Sequence, residues 1–248
     1  LAWEDSGRVS DNLARLDFCA PLGVRNSIVD RRLERFRVAD TTTHAVVDTV
    51  VATYEHAPAL GGWYLGDEPA ESEFALLEAI AARVRRAGST HPVWNNLRGR
   101  GQFATREAWM DYNREYVRRL QPAVLCNDQY DFFENGDRGL LVENVAGLAS
   151  VARENGLPFW GVVNIVQHGT LRRPTQGLIR WQVAQWLSYG ATGIGYFTYW
   201  TPAPDTVWNW RPAMIAWGTG ERTALYDTVR ALNVPVRAIG ETIAGLQW

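Results

Sequence analysis

Short apolar runs alternate with amphipathic helical stretches along nearly all of the chain, and no other feature limits the fold as much. Residues 23–30 read as a strand, and residues 44–55 as the helix after it. Residues 62–66 form the next apolar run. Its helix spans about 71–87, with Phe74, Leu77, Ile80 and Val84 on one face and Gly88 as the stop. Strand 92–96 precedes a helix containing Trp109, Tyr112, Tyr116 and Leu120. Strand 123–126 precedes one marked by Leu141, Val145, Leu148 and Val151, which Gly156 ends. Strand 159–166, helix 174–189 and strand 193–200 follow. A last helix starts near Glu221 and is expected to break at Pro235, which lacks the N–H that a helix interior requires.

Strands that alternate with helices make a parallel sheet with right-handed crossovers. Nearly continuous apolar character fits strands covered on both faces. A doubly wound open sheet satisfies the same pattern. The closed barrel is preferred because polar residues recur just after almost every strand, where one rim of a barrel builds a site. No Gly-x-Gly-x-x-Gly turn follows a strand, which argues against a dinucleotide fold. Six strands are two short of eight. Residues 1–6 look like the end of one more strand and its loop, before a helix at about 11–20. The expected fold is therefore α/β: a (β/α)₈ barrel over residues 1–248 as a single domain. It would lack strand one, helix one and most of strand two at the N-terminus.

With 46% hydrophobic residues, and no run near the roughly 20 apolar residues of a membrane span, a soluble globular domain is expected. A net charge of −2 with scattered basic residues leaves no footprint for nucleic acid or an acidic membrane. Arg31, Arg32 and Arg35 suit a solvated face. Cys19 and Cys126 look like buried thiols. His44, His56, His91 and His168 have no metal-ligand spacing, so neither a metal nor another cofactor is expected. The first residue is Leu, and the N-terminus assigns no compartment. Among the 12 Trp, about half suit a large core; the rest follow apolar runs, where a sugar face can stack on them.

The sharpest chemical signal is Gly66-Asp67-Glu68-Pro69. Pro69 prevents continuation of the ladder, so the two carboxyl groups stand where a strand gives way to a loop. The competing structural role is a helix start, where carboxylates complement the dipole; Glu71 and Glu73 follow at once. The segment 62–69 (GWYLGDEP) resembles the strand-four signature of clan A-like glycoside hydrolases with (β/α)₈ barrels. Residues 185–194 (QWLSYGATGI) with 196–200 (YFTYW) look like the strand-eight region of galactosidase-like members. That resemblance implies an oligo- or polysaccharide substrate and makes Glu68 the proton donor to the glycosidic oxygen.

The sequence departs from the family pattern at strand seven, where a second Glu, the nucleophile, is expected. Gln167-His168 stands there instead, and Gln cannot form a glycosyl ester. Three alternatives stay open. Asp128 can serve as the base of an inverting reaction, which needs carboxyl groups about 6.5–9.5 Å apart. The Asp67–Glu68 pair resembles the dyad of substrate-assisted hexosaminidases, in which the Asp orients a 2-acetamido nucleophile. The third is a noncatalytic carbohydrate-binding barrel. A barrel aldolase or isomerase would need a strand-end Lys, a metal cluster or a phosphate site, and none is seen. Asn95, Asn96, Tyr130, Gln167, His168, Trp200 and Trp208 are the candidate sugar-binding groups, with Asp205 and Trp210 beside them. Glu68, Asn96, Asp128, Gln167 and Trp200 are expected to converge on one concave face.

Overall fold

The computed structural model describes residues 7–244. The expected extra strand at residues 1–3 lies outside the described residues. Helix α1 (Val9–Cys19) leads to β1 (Asn26–Ile28), α2 (Ala45–Tyr54), β2 (Leu60–Asp67), α3 (Phe74–Arg86), β3 (Val93–Leu97) and α4 (Arg106–Leu120). Then come β4 (Leu125–Asp128), a hairpin of β5 (Phe132–Phe133) and β6 (Gly136–Asp137), α5 (Leu141–Glu154), β7 (Phe159–Asn164), α6 (Gln176–Ser188), β8 (Gly193–Phe197) and α7 (Ala224–Ala244).

Six strands form one sheet in the order β1-β2-β3-β4-β7-β8. The β1–β2, β2–β3 and β7–β8 pairs are parallel. The order never reverses along the chain. A doubly wound sheet reverses at its switch point, so the observed order is that of a sheet wound one way, consistent with part of a (β/α)₈ barrel. A separate two-stranded antiparallel sheet, the β5–β6 hairpin, was not announced by the alternation.

The chain divides into two compact units, residues 1–97 with 111–125 and residues 98–110 with 126–248. In the first, the expected face of α3 (Phe74, Leu77, Ile80 and Val84) is buried. Ile80 and Val84 pack with Val47, Val50 and Tyr54 of α2 and with Ile28, Leu60 and Trp63 of the strands. Trp63 and Trp94 are core residues whose indole N–H groups are satisfied, by Ser89 Oγ at 2.8 Å and Ser27 Oγ at 3.0 Å. Arg32 is partly buried rather than fully solvated: its Nε and Nη2 form a two-pronged pair with the two oxygens of Asp30, which also accepts from Tyr54 Oη at 2.7 Å. Burial pushes the Tyr54 phenol up to about 12, with its bond to Asp30 adding to the rise.

In the second unit, glycines make room for tryptophans. A Cβ at Gly147 of α5 would overlap Trp109, one at Gly161 of β7 would overlap Trp186, and one at Gly193 of β8 would overlap Trp160. A mid-helix glycine costs roughly 1 kcal/mol against Ala, and at Gly147 that cost admits a fully buried indole. At the end of β4, the buried amides of Asn127 and Asn144 bond reciprocally at 3.0 Å. Such pairing is what makes polar side chains tolerable in a core.

Several element bounds differ from the sequence reading, and two differences stand out. The strand expected over 23–30 forms ladder bonds only at Asn26–Ile28. Helix α7 runs unbroken through Pro235. Pro235 and Ala231 are both exposed, so the carbonyl that loses its partner faces water, and the usual penalty is reduced.

Candidate functional site

The end of β2 is irregular in a way that re-aims its last residues. Tyr64 pairs with Trp94 and Asp67 with Asn96, so β2 carries one residue more than β3 over the same span. Such bulges bend a strand and redirect side chains. Gly66 within it has φ 141°, in a region open to glycine. Glu68 then takes φ 45°, a left-handed conformation costing of order 1–2 kcal/mol for a residue with a Cβ. Its backbone N–H donates to the Asn96 carbonyl at 2.8 Å, which helps to hold it there.

The neighbouring groups are tied just as closely. Asp67 Oδ1 accepts from Tyr64 Oη and from Asn96 Nδ2, each at 3.0 Å. Asn95 is committed within the wall: it donates to the Gly66 carbonyl at 3.0 Å and accepts from Tyr116 Oη at 3.1 Å. Tyr112 Oη donates to the Pro69 carbonyl at 2.8 Å. The helix-start role belongs to another carboxylate, because Glu73 Oε2 accepts from Ala70 N–H at 2.6 Å. Glu68 precedes that N-cap and lies outside the first turn of the following helix. Asp67 is exposed, Glu68 half-buried, and both Asn95 and Asn96 are buried.

In the second unit, an aromatic cluster gathers at the ends of β4, β7 and β8. His168 stacks on Trp210 with centroids 4.6 Å apart, and its ring meets Tyr130, Phe197 and Trp208 within 6.0 Å. Tyr130 and Phe197 also stack on each other, at 6.0 Å. The segment from Asp205 to Arg211 is strapped over this cluster. Asp205 accepts from Val207 N–H at 2.8 Å, Trp208 N–H at 2.6 Å and the Trp210 indole at 2.7 Å. These bonds, led by the one from Trp208, hold its carboxyl below the usual range. Gly169 N–H donates to the Trp208 carbonyl, and Arg211 N–H to that of Gln167. Trp208 remains 51% exposed.

Asp128 is the half-buried last residue of β4. Nearby Asp131 is structural, accepting from Gln129 Nε2 at 2.7 Å and from Leu141 N–H at 2.6 Å where α5 begins. Gln167 Nε2 donates to Glu134 Oε1 at 3.0 Å. Trp200 is half-buried and bridges to Ile215. Sequence reasoning missed Glu134 and Phe197. Glu134 sits in the turn of the β5–β6 hairpin, and the adjacent Asn135-Gly136 was the available signal. Among the described residues, no group of three or more His, Cys, Asp or Glu is arranged to hold a metal ion. No helix of the described residues is long and apolar enough to cross a membrane.

His168 gives a pH test. Burial lowers its pKa from 6.5, outweighing the opposing bond to the Val166 carbonyl. The folded state therefore binds fewer protons than the unfolded one below that value. The His168 contribution to stability is fully present above its unfolded pKa of about 6.5 and should be lost as pH drops from there toward the lower folded value. Urea midpoints measured from about pH 8 to about pH 5 should show this slope, and His168→Phe, which keeps a ring but cannot titrate, should flatten it.

The fold and these clusters define the class: an α/β chain with a mostly parallel sheet of one-way strand order and polar and aromatic side chains after its strands. Structural comparison narrows it to particular neighbours. A crystal structure described as a "putative alpha-L-fucosidase" from Bacteroides thetaiotaomicron matches 97% of this chain and 76% of its own, with TM-score 0.62 and 12% identity. The beta-galactosidase of the psychrophilic Marinomonas ef1 matches 94% of this chain, with TM-score 0.61 and 10% identity. This chain spans half the length of that enzyme, 50%. The catalytic domain of a mannanase from Streptomyces sp. SirexAA-E matches 93% of this chain and 71% of its own, with TM-score 0.54 and 10% identity. At such identities the likeness is one of fold. By sequence, no protein family and no curated protein matches the chain.

Proposed function

We propose that this chain is the catalytic barrel of a glycoside hydrolase that cleaves O-glycosidic bonds in an oligo- or polysaccharide, with Glu68 as general acid. The observation that carries the reading is the strained, tethered position of Glu68 at the bulged end of β2, beside an Asp67 held by Tyr64 and Asn96. Strain of this kind concentrates at functional sites. The three structural neighbours, all named for glycosidase activities, support the substrate class. Glu68 gives its proton to the leaving oxygen as the glycosidic C–O bond breaks. In the inverting scheme Asp128 takes a proton from the attacking water. Asn96, Tyr130, Gln167 and His168 bind sugar hydroxyls, and Trp200 and Trp208 offer apolar faces. Asn95, with its amide committed within the wall, supports Gly66.

Product stereochemistry tests the scheme. NMR of fresh hydrolysate should show the inverted anomer, and Asp128→Asn should lower turnover by about 10² to 10⁴. Retention of configuration with an active Asp128→Asn variant would remove Asp128 from the mechanism. Strict dependence on a 2-acetamido group would transfer the role to Asp67 and substrate assistance. One observation favours a second reading, a carbohydrate-binding barrel without catalysis: β7 is followed by Gln167, where a nucleophile is otherwise expected. Binding without cleavage across a broad glycoside panel would support it.

A further inference from the structure

Carboxylate and carbonyl oxygens only accept hydrogen bonds, and that fact orients both polar side chains just after β7. Glu134 Oε1 lies 3.0 Å from Gln167 Nε2, so the NH₂ edge of Gln167 faces the β5–β6 hairpin and its Oε1 is on the opposite edge. His168 Nδ1 lies 3.1 Å from the Val166 carbonyl, so that nitrogen carries the proton. In the neutral ring Nε2 then holds a lone pair. Enclosure by Tyr130, Phe197, Trp208 and Trp210 favours the neutral ring, since a charged one would lose its hydration.

The position of Glu134 is built rather than incidental. Its backbone N–H donates to the Thr170 carbonyl at 3.0 Å, and Arg172 N–H donates to the Phe132 carbonyl at 3.0 Å. Phe133 bridges to Leu171, and Arg172 pairs with Asp137 at 2.6 Å. The hairpin is thus zipped to the segment after His168 on both sides of Glu134.

We propose that the end of β7 is an acceptor-only edge that reads sugar hydroxyl groups as donors, through Gln167 Oε1 and His168 Nε2, with Glu134 as the positioning residue that keeps the Gln167 amide from reversing. The inference rests on the carbohydrate reading above and deepens it. An amide can present either edge to a ligand; one whose NH₂ is bound to a carboxylate presents oxygen. Such an edge rejects a ligand whose hydroxyl has been replaced by a group that can accept but cannot donate.

Deoxyfluoro sugars make that replacement. The full chain would be titrated with methyl β-D-galactoside, methyl α-L-fucoside, methyl β-D-mannoside and their monodeoxyfluoro analogues. For a glycoside that binds, fluorine at one or two ring positions should weaken binding by about tenfold each, the worth of one hydrogen bond. Glu134→Gln supplies a partner that both donates and accepts, so the Gln167 amide can reverse; discrimination at one position should fall to about twofold or less. Glu134→Asp, still acceptor-only, should retain most of it. His168→Phe should abolish discrimination at the other position while leaving the Gln167 position intact. Equal binding of parent and fluoro sugars by the wild type, or discrimination unchanged in Glu134→Gln, overturns the inference and leaves the carbohydrate reading standing. Failure of every glycoside to bind overturns the carbohydrate reading itself.

Discussion

Glu68→Gln is expected to lower glycoside turnover by about 10² to 10⁴, the usual worth of a positioned proton donor. The amide keeps the side chain's shape, and the backbone tie from Glu68 N–H to the Asn96 carbonyl does not depend on the carboxyl group. Sugar binding should therefore survive, with the loss in kcat and little change in KM. Substrates with good leaving groups need less protonation, so the deficit should shrink for aryl glycosides of acidic phenols. A purely structural role predicts a different outcome: a stability change under about 1 kcal/mol with cleavage intact. The geometry already assigns the helix-start role to Glu73, whose carboxylate takes the Ala70 N–H. Unchanged cleavage in the Glu68→Gln variant would defeat the assignment.

Gly161→Ala should be among the most damaging single methyl additions to this chain. The new Cβ would overlap the indole of Trp186, which is fully buried on α6. Neither group has space to yield, so α6 must lift from β7 or the ring must leave its rotamer. Overpacking of this kind costs about 1–3 kcal/mol, and a direct backbone-to-ring overlap belongs at or above the top of that range. For a domain of this size about 3 kcal/mol lowers the melting temperature by roughly 6–12 °C. Gly177→Ala in the first turn of α6 is the control. Its nearest neighbour would be Thr175 Oγ1 at 3.9 Å, so the variant should be neutral or stabilised by up to about 1 kcal/mol. Pairing Gly161→Ala with Trp186→Leu should recover part of the loss, because the two changes share one volume. Additive losses in the double variant would show that the ring is not the obstacle.

The Gly161–Trp186 contact also shows how far the sequence could be read. The abundance of Trp was visible, and so was its division between core and surface. Which Trp belongs where depended on a glycine elsewhere in the chain: Gly147 for Trp109, Gly161 for Trp186 and Gly193 for Trp160. Trp63 stands four residues before Asp67 in the sequence, yet its indole lies in the core and donates to Ser89 Oγ. No periodicity carries such pairings, because they join residues that are distant in sequence.

The candidate carboxylates were legible because proline and strand chemistry are local. Pro69 ends a ladder wherever it stands, and an apolar run followed by Asp67-Glu68 puts carboxyl groups at a strand end. The bulge that turns Glu68 into a left-handed conformation was not legible, since it arises from the register of β2 against β3. Glu134 was hidden for a related reason. Its chemistry depends on a two-residue hairpin turn folding back onto the segment after β7, which brings it to Gln167 across 33 residues.

By itself, the sequence determined the order of helices and strands apart from the β5–β6 hairpin, the buried face of α3 and the sites where strands end in polar residues, because each follows from spacing within a dozen residues. Tertiary structure alone decided the one-way order of the sheet, the committed role of Asn95 in the wall and the acceptor sense of Gln167. Those depend on hydrogen-bond partners that chain folding brings together, and the direction of a hydrogen bond is set by both partners, so neither residue's identity suffices to specify it.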